Sequence, residues 1–252
     1  MNEITLFGFN NLTKSLSFSL YKLHYLSDKH DRYNQFIKAR YSADKLNCIL
    51  TDICHAIGGN VLNIAKQDYQ PQGASVTLMI SEESQAETIS NTLSESLVAH
   101  LDKSHLCIHT YPEESPQDGI AIFRADIELS TCGVISPLKI LNHVIEAFDA
   151  DVIDIDYRIR GMTRNKQGSK LYIIDKLESL SDHLSTEVIN RYALSEHNFK
   201  KQNLFHAKLS RKDIVLSNYL FNRNMDKLPR DEQGVICAKL EKEIHQLFMS
   251  TN

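Results

Sequence analysis

Glycine and proline are scarce in this sequence, 9 and 5 among 252 residues, which excludes collagen-like, linker-dominated and low-complexity material. No excess of positive charge is present either. The 28 basic residues face 32 acidic ones for a net charge of −4, so the electrostatic footprint of a nucleic-acid binder is missing. No CxxC spacing occurs among the five cysteines, Cys48, Cys54, Cys107, Cys132 and Cys237. Their odd number, in a chain long enough to need no disulfide staples, points to a reducing compartment. No uncharged apolar run approaches the roughly 20 residues that cross a bilayer, and Glu3 and Lys14 bracket an N-terminus without a secretory h-region. The expectation is a soluble, cytoplasmic protein with neither nucleic acid nor membrane as a partner. What remains is ordinary globular composition, 42% apolar and 24% charged, at a length between one and two domains of about 150 residues each.

The hydrophobic pattern supplies the elements. SLSFSL alternates strictly from Ser15 to Leu20, with Leu16, Phe18 and Leu20 on one face, the period of a half-buried strand. In DKLNCILTDICHAIGG, Leu46, Ile49, Leu50, Ile53, Cys54 and Ile57 fall at helical spacing, with Ser42 as N-cap and Gly58 and Gly59 after the last turn. VLNIAKQDY and ASVTLMI read as strands joined by the turn PQG, and SEESQAETISNTLSES as an exposed polar insertion. SHLCIHT and IAIFRADIEL follow as strands. Ser136 before Pro137 marks a helix start for LKILNHVIEAF. DVIDIDYRIRG is again a strand, with Ile153, Ile155, Tyr157 and Ile159 opposite the charged residues and Gly161 ending it.

Strands interrupted by two amphipathic helices predict an α+β fold, a two-layer αβ sandwich with a largely antiparallel sheet over residues 1–161. Residues 162–252 read as a mainly helical extension packed on the same domain. Its last segment, DEQGVICAKLEKEIHQLFM, places Val235, Leu240, Ile244 and Leu247 at helix-compatible spacing.

Reactive side chains concentrate in AHLDKSHLCIHTYPE, with another cysteine in STCGVISP. On a strand His105, Cys107 and His109 share one face, a spacing that can chelate a metal. No second Cys/His pair completes such a site, and packed histidines and thiols are commoner. Alternatively, Cys107 or Cys132 activated by His109 would make a Cys/His hydrolase. Lys103 reads as a Schiff-base lysine or, more commonly, a solvated charge.

These two stretches resemble the processing and catalytic signature of the S-adenosylmethionine decarboxylase proenzyme family, specifically its longer enteric-bacterial type. FGFNNLTKSLSF and NIAKQDYQPQGASVT are similar to the same type, over residues 4 to about 161, and YRIRGMTR and NLFHAKL extend the likeness more weakly. The resemblance implies a precursor that cuts itself between Lys103 and Ser104, with Ser104 becoming a covalent pyruvoyl group. That group forms a Schiff base with S-adenosylmethionine, whose decarboxylation supplies the aminopropyl donor for spermidine. By the same resemblance, His109 is the proton acceptor in processing, Cys132 the proton donor in catalysis and Ser75 a processing aid. Tyr69 corresponds to an aromatic that stacks on adenine, and Glu113 to a carboxylate that binds the ribose hydroxyls and favours a sulfonium. No protein metal site is implied, although longer members are associated with Mg²⁺ as activator. Partners are the substrate, the two cleaved chains with each other, and a homo-oligomer of the cleaved pair.

Geometry adds one expectation. Along a single strand Ser104 and His109 point to opposite faces and lie roughly 16 Å apart at ~3.3 Å per residue. Either the chain bends at Ser104, or each site combines Ser104 and Cys132 of one protomer with His109 and Ser75 of a two-fold partner. The shared site is the expected solution. It agrees with the dimer that the resemblance implies, a four-layer αββα stack of two sheets.

Overall fold

The alternation of SLSFSL becomes the middle of a long strand, β2 (Thr13–Tyr25), in a computed structural model that describes residues 7–26, 30–82, 104–113, 119–132, 135–165, 167–172, 177–220 and 228–250. Around it stand β3 (Gly59–Asp68), β4 (Ala74–Glu82), β5 (His105–Pro112), β6 (Ile120–Cys132), β7 (Val152–Arg160), β10 (Tyr192–Phe199) and β11 (Leu204–Arg211). They form one eight-stranded sheet in the order β10-β11-β7-β2-β6-β5-β4-β3, and every neighbouring pair is antiparallel. Short β1 (Phe7–Asn10), β8 (Thr163–Arg164) and β9 (Lys170–Leu171) make a separate three-stranded sheet. The expected α+β fold with an antiparallel sheet is the observed one. The polar stretch expected as an insertion lies outside the described residues beyond Glu82.

Period two gives the sheet two unlike faces. Leu16, Phe18 and Leu20 are buried on the first, beside Ile127 and Leu129 of β6 and Ile153 and Ile155 of β7. Helices α1 (His30–Tyr41), α2 (Ala43–Ala56) and α3 (Leu141–Phe148) cover that face. In α2 the Ser42 hydroxyl accepts from the Lys45 amide at 3.4 Å, the expected cap. Leu46, Leu50 and Ile53 are wholly buried, each contributing about 1.5–3 kcal/mol. Tyr41 at the end of α1 stacks on Phe123 of β6, ring centroids 4.1 Å apart. The Ser136 cap differs from expectation. Pro137–Ile140 form a 3₁₀ turn leading into α3, and the Ser136 side chain makes no capping bond there.

Beyond residue 161 the structure departs from the expected mainly helical extension. β10 and β11 lengthen the sheet past β7, and short α4 (Thr186–Arg191) precedes them. The terminal helix α5 (Arg230–Met249) packs on the sheet's other face. Leu23 falls on the serine side of β2, and it joins Ile120, Val152, Tyr219, Ile236, Leu240 and Ile244 in a second core. The two-layer expectation therefore gains a partial third layer at one end of the sheet. Val235, expected on the packed stripe, is 57% exposed, and Ile236 takes its place.

A candidate active site at the β5 and β6 ends

On the second face most positions are polar and half-buried. Ser15, Ser17 and Ser19 of β2 lie beside Ser130, Glu128 and Asp126 of β6, and those beside His105, Cys107 and His109 of β5. Helix α5 covers the Leu23 end of this face and not this grid.

Ser104 stands just before β5. Its carbonyl accepts from the Ile80 amide at 3.3 Å, which extends the β4–β5 ladder by one residue, and the residue is only 8% exposed. Because β5 and β6 run antiparallel with His105 opposite Ser130, the start of β5 meets the end of β6. Ser104 Oγ accepts from the Cys132 amide at 3.3 Å and lies 3.4 Å from Cys132 Sγ. Residues 28 positions apart are thus brought into contact by register alone. Lys103 lies outside the described residues.

His109 sits elsewhere. It is directly opposite Ser75 of β4 and Asp126 of β6 on the polar face, where Arg124 makes an ion pair with Asp126. Five strand residues separate it from Ser104, roughly 16 Å. Within one chain the structure joins Ser104 to Cys132 and His109 to Ser75, and keeps the two pairs apart.

Glu113 and Tyr69 lie at the His109 end. Glu113 brackets β6: its amide donates to the Ile122 carbonyl and its Oε2 accepts from the Ile122 amide, both at 3.0 Å. Burial, and secondarily the Glu113 charge, hold the Tyr33 phenol well above its ordinary range. Tyr69 is in the β3–β4 turn, its amide donating to the Gly73 carbonyl at 2.8 Å. Gly73 has φ +103, and a Cβ there would come within 2.8 Å of the Thr110 carbonyl, so the turn requires glycine. Tyr69 lines an open cleft with Ile37, Tyr41 and Asp68.

The alternatives fare poorly. Burial first, then the Glu128 carboxylate, raises the Cys107 thiol, the opposite of what a nucleophile needs. Cys132 is six β6 residues from the partner of His109, roughly 20 Å, so Cys132 and His109 do not form the expected hydrolase pair within one chain. Among the described residues no group of three His, Cys, Asp or Glu side chains is arranged to hold a metal ion, and the metal reading through His105, Cys107 and His109 finds no support.

Two side chains belong to these surroundings without any motif to announce them. Asp126 is visible only as the partner of Arg124 two residues before it. Lys14 is 1% exposed, and its Nζ donates to the Ile135 carbonyl at 3.1 Å, near Cys132. Its signal is parity, since in KSLSFSL it falls on the face of Leu16 and Phe18.

The family model described as S-adenosylmethionine decarboxylase matches residues 38–161. A curated relative, the S-adenosylmethionine decarboxylase proenzyme of Photorhabdus laumondii subsp. laumondii, is 46% identical over 260 residues, covering 100% of this chain and 98% of the relative. The protein of the same name from Xylella fastidiosa is 47% identical over 255 residues, covering 99% and 97%. Among solved structures, the adenosylmethionine decarboxylase from Aquifex aeolicus aligns with a TM-score of 0.37 at 14% identity, covering 68% of this chain and 98% of that one.

Proposed function

The chain belongs to the S-adenosylmethionine decarboxylase family, and from that premise we propose that it is a self-processing, pyruvoyl-dependent decarboxylase acting on S-adenosylmethionine in the cytoplasm. The observation that carries the reading is the contact of Ser104 Oγ with the amide and thiol of Cys132. Self-cleavage needs a hydroxyl on the residue that follows the scissile carbonyl, and decarboxylation needs a proton donor beside the same residue. Both requirements meet at residue 104.

In processing, Ser104 Oγ attacks the Lys103 carbonyl, and the amide becomes an ester as the chain transfers from nitrogen to oxygen. His109 then removes the Ser104 α-proton. An imidazole nitrogen has a lone pair that can take up that proton. Elimination releases a fragment ending in the Lys103 carboxylate. The new end of the other fragment takes up water and loses ammonia to leave a ketone.

The surroundings of Ser104 fit that group, since the Cys132 N–H that donates to Ser104 Oγ would be left as a donor beside residue 104 once Oγ departs with the Lys103 carboxylate. Once formed, the pyruvoyl group supplies a carbonyl that binds the substrate amine and draws off the electron pair left by carbon dioxide. Cys132 holds the proton to be returned to the substrate α-carbon, its thiol being an S–H donor beside residue 104. Tyr69 and Glu113 are assigned to the adenine and the ribose.

His109 and Ser75 reach Ser104 from a second copy. The polar grid on β5, β6 and β2 is the surface over which two sheets stack, and α5 stops short of it. Co-expressing Ser104→Ala with His109→Ala tests this. Neither variant alone is expected to cleave, but each mixed dimer has one intact site, about a quarter of all sites at random pairing. Denaturing electrophoresis should therefore show about a quarter of wild-type cleavage. Mixed dimers isolated through two affinity tags that stay uncleaved would contradict the shared site.

A further inference from the structure

We propose that Lys14 is a positioning residue for Cys132, its buried ammonium fixing the chain three residues beyond the cysteine and so setting where the thiol lies against residue 104. The inference rests on the assignment of Cys132 as proton donor and deepens it.

Lys14 is a charged residue in the wrong place for a strand of this pattern. It lies on the helix-covered side of β2, across from Thr131 of β6 and Ile159 of β7, and is 1% exposed. Burying an ammonium is unfavourable unless its hydrogen bonds are replaced, and an aliphatic side chain would fill the same space without that penalty. The Lys14 ammonium donates to the Ile135 carbonyl at 3.1 Å. Thr131 Oγ1 donates to the same oxygen at 3.3 Å. Two donors from adjacent strands therefore converge on a single carbonyl, one of them from the residue immediately before Cys132. A charge-assisted bond is the stronger of the two, so Lys14 is the principal hold.

The consequence falls on Cys132. Its amide and thiol both meet Ser104 Oγ within 3.4 Å, a geometry that must be kept when residue 104 changes chemically and substrate arrives. A proton donor is effective only within hydrogen-bond reach of the atom it serves. With Thr131 before the cysteine and Ile135 after it tied to each other and to Lys14, the thiol is held from both sides. Without the ammonium, one of those ties is lost.

The test uses full-length Lys14→Met and Lys14→Arg and has a readout independent of turnover. Iodoacetamide labelling of Cys132, followed by peptide mass, is compared with that of exposed Cys48 in the same sample. Lys14→Met is expected to change the Cys132 rate at least about threefold while Cys48 stays unchanged, and to lower kcat at least about tenfold with KM within about twofold. Lys14→Arg, which keeps a charged donor, should recover most of both. If Lys14→Met fails to fold, Thr131→Val removes the other donor with little change of shape and should shift Cys132 labelling in the same direction. Unchanged Cys132 labelling and kcat in the folded variants overturn the proposal. Full activity of Cys132→Ala would instead remove the proton-donor assignment, and the labelling difference would still report whether Lys14 places the thiol.

Discussion

Ser104→Ala leaves a single uncleaved chain of 252 residues and reduces decarboxylation by at least about 10⁴-fold, the scale on which loss of a covalent catalytic group is felt. The effect is double. The hydroxyl that attacks the Lys103 carbonyl is gone, and without the ester it forms there is no elimination from which the ketone at residue 104 could arise. Folding should survive, because among the described residues the hydroxyl bonds Cys132 alone. Leaving the Cys132 amide without that acceptor costs about 1 kcal/mol, a few degrees in a melting curve for a chain of this size. The check is electrophoresis beside a ¹⁴CO₂ release assay on protein whose melting curve is intact. Measurable decarboxylation by a folded Ser104→Ala chain would remove residue 104 from the chemistry.

Asp151→Ala has the opposite character, sparing every reactive group and removing the support of the fold. The Asp151 side chain is fully buried. It accepts from the Leu23 amide at 2.8 Å, from Arg211 Nε at 3.0 Å and from the Tyr219 hydroxyl at 2.8 Å, with Lys22 Nζ 3.5 Å away. These partners come from β2, β11 and the 3₁₀ turn after it, so one carboxylate ties the C-terminal extension to the central strand. Burial, and then the Asp151 charge, hold the Tyr219 phenol well above its ordinary range. Removing one member of such a network strands the remaining charges, at about 3–5 kcal/mol, a large part of a typical total of 5–15 kcal/mol. We expect the melting temperature to fall by about 10 °C or more. Asp156→Ala is the control: its carboxylate is 56% exposed and among the described residues bonds the His206 ring, worth less than about 1 kcal/mol. Equal melting temperatures for the two variants would refute this account of the network.

Acid should weaken the same joint. At Asp149 burial opposes the charged form, but the hydrogen bond from Arg211 and the charge of Lys22 outweigh it and hold the carboxyl below its ordinary value. Its contribution is therefore complete above the unfolded carboxyl value of about 3.9 and is lost as pH falls through the lowered folded value.

The residues that displayed their structure in advance are those on which one force dominates. Leu16, Phe18 and Leu20 announced β2 because one face of that strand is sealed by helices, and Ser42 announced α2 because its hydroxyl has a free amide to cap. β10 gave no such signal. It is an edge strand whose side chains are largely exposed, so no alternation was selected into YALSEHNF. In β11 the buried Phe205, Ala207 and Leu209 do alternate, a period-two signal that the reading of residues 162–252 as mainly helical passed over. The docking of α5 has a faint trace: along β2 the serine face turns to Tyr21, Leu23 and Tyr25, apolar where it had been polar. At the site, the roles of Ser104, His109 and Cys132 came with the family resemblance, not with spacing. The contact between Ser104 and Cys132 depends on the β5–β6 register, which local pattern cannot supply.

The most direct test of the whole account is the intact mass of the purified protein under denaturing conditions. The account predicts two species, residues 1–103 with an ordinary carboxyl end and residues 104–252 lighter by one ammonia than a fragment beginning with serine, its end reactive toward a carbonyl reagent. A single mass for the full 252 residues, or a second fragment that begins with unmodified Ser104, would contradict it.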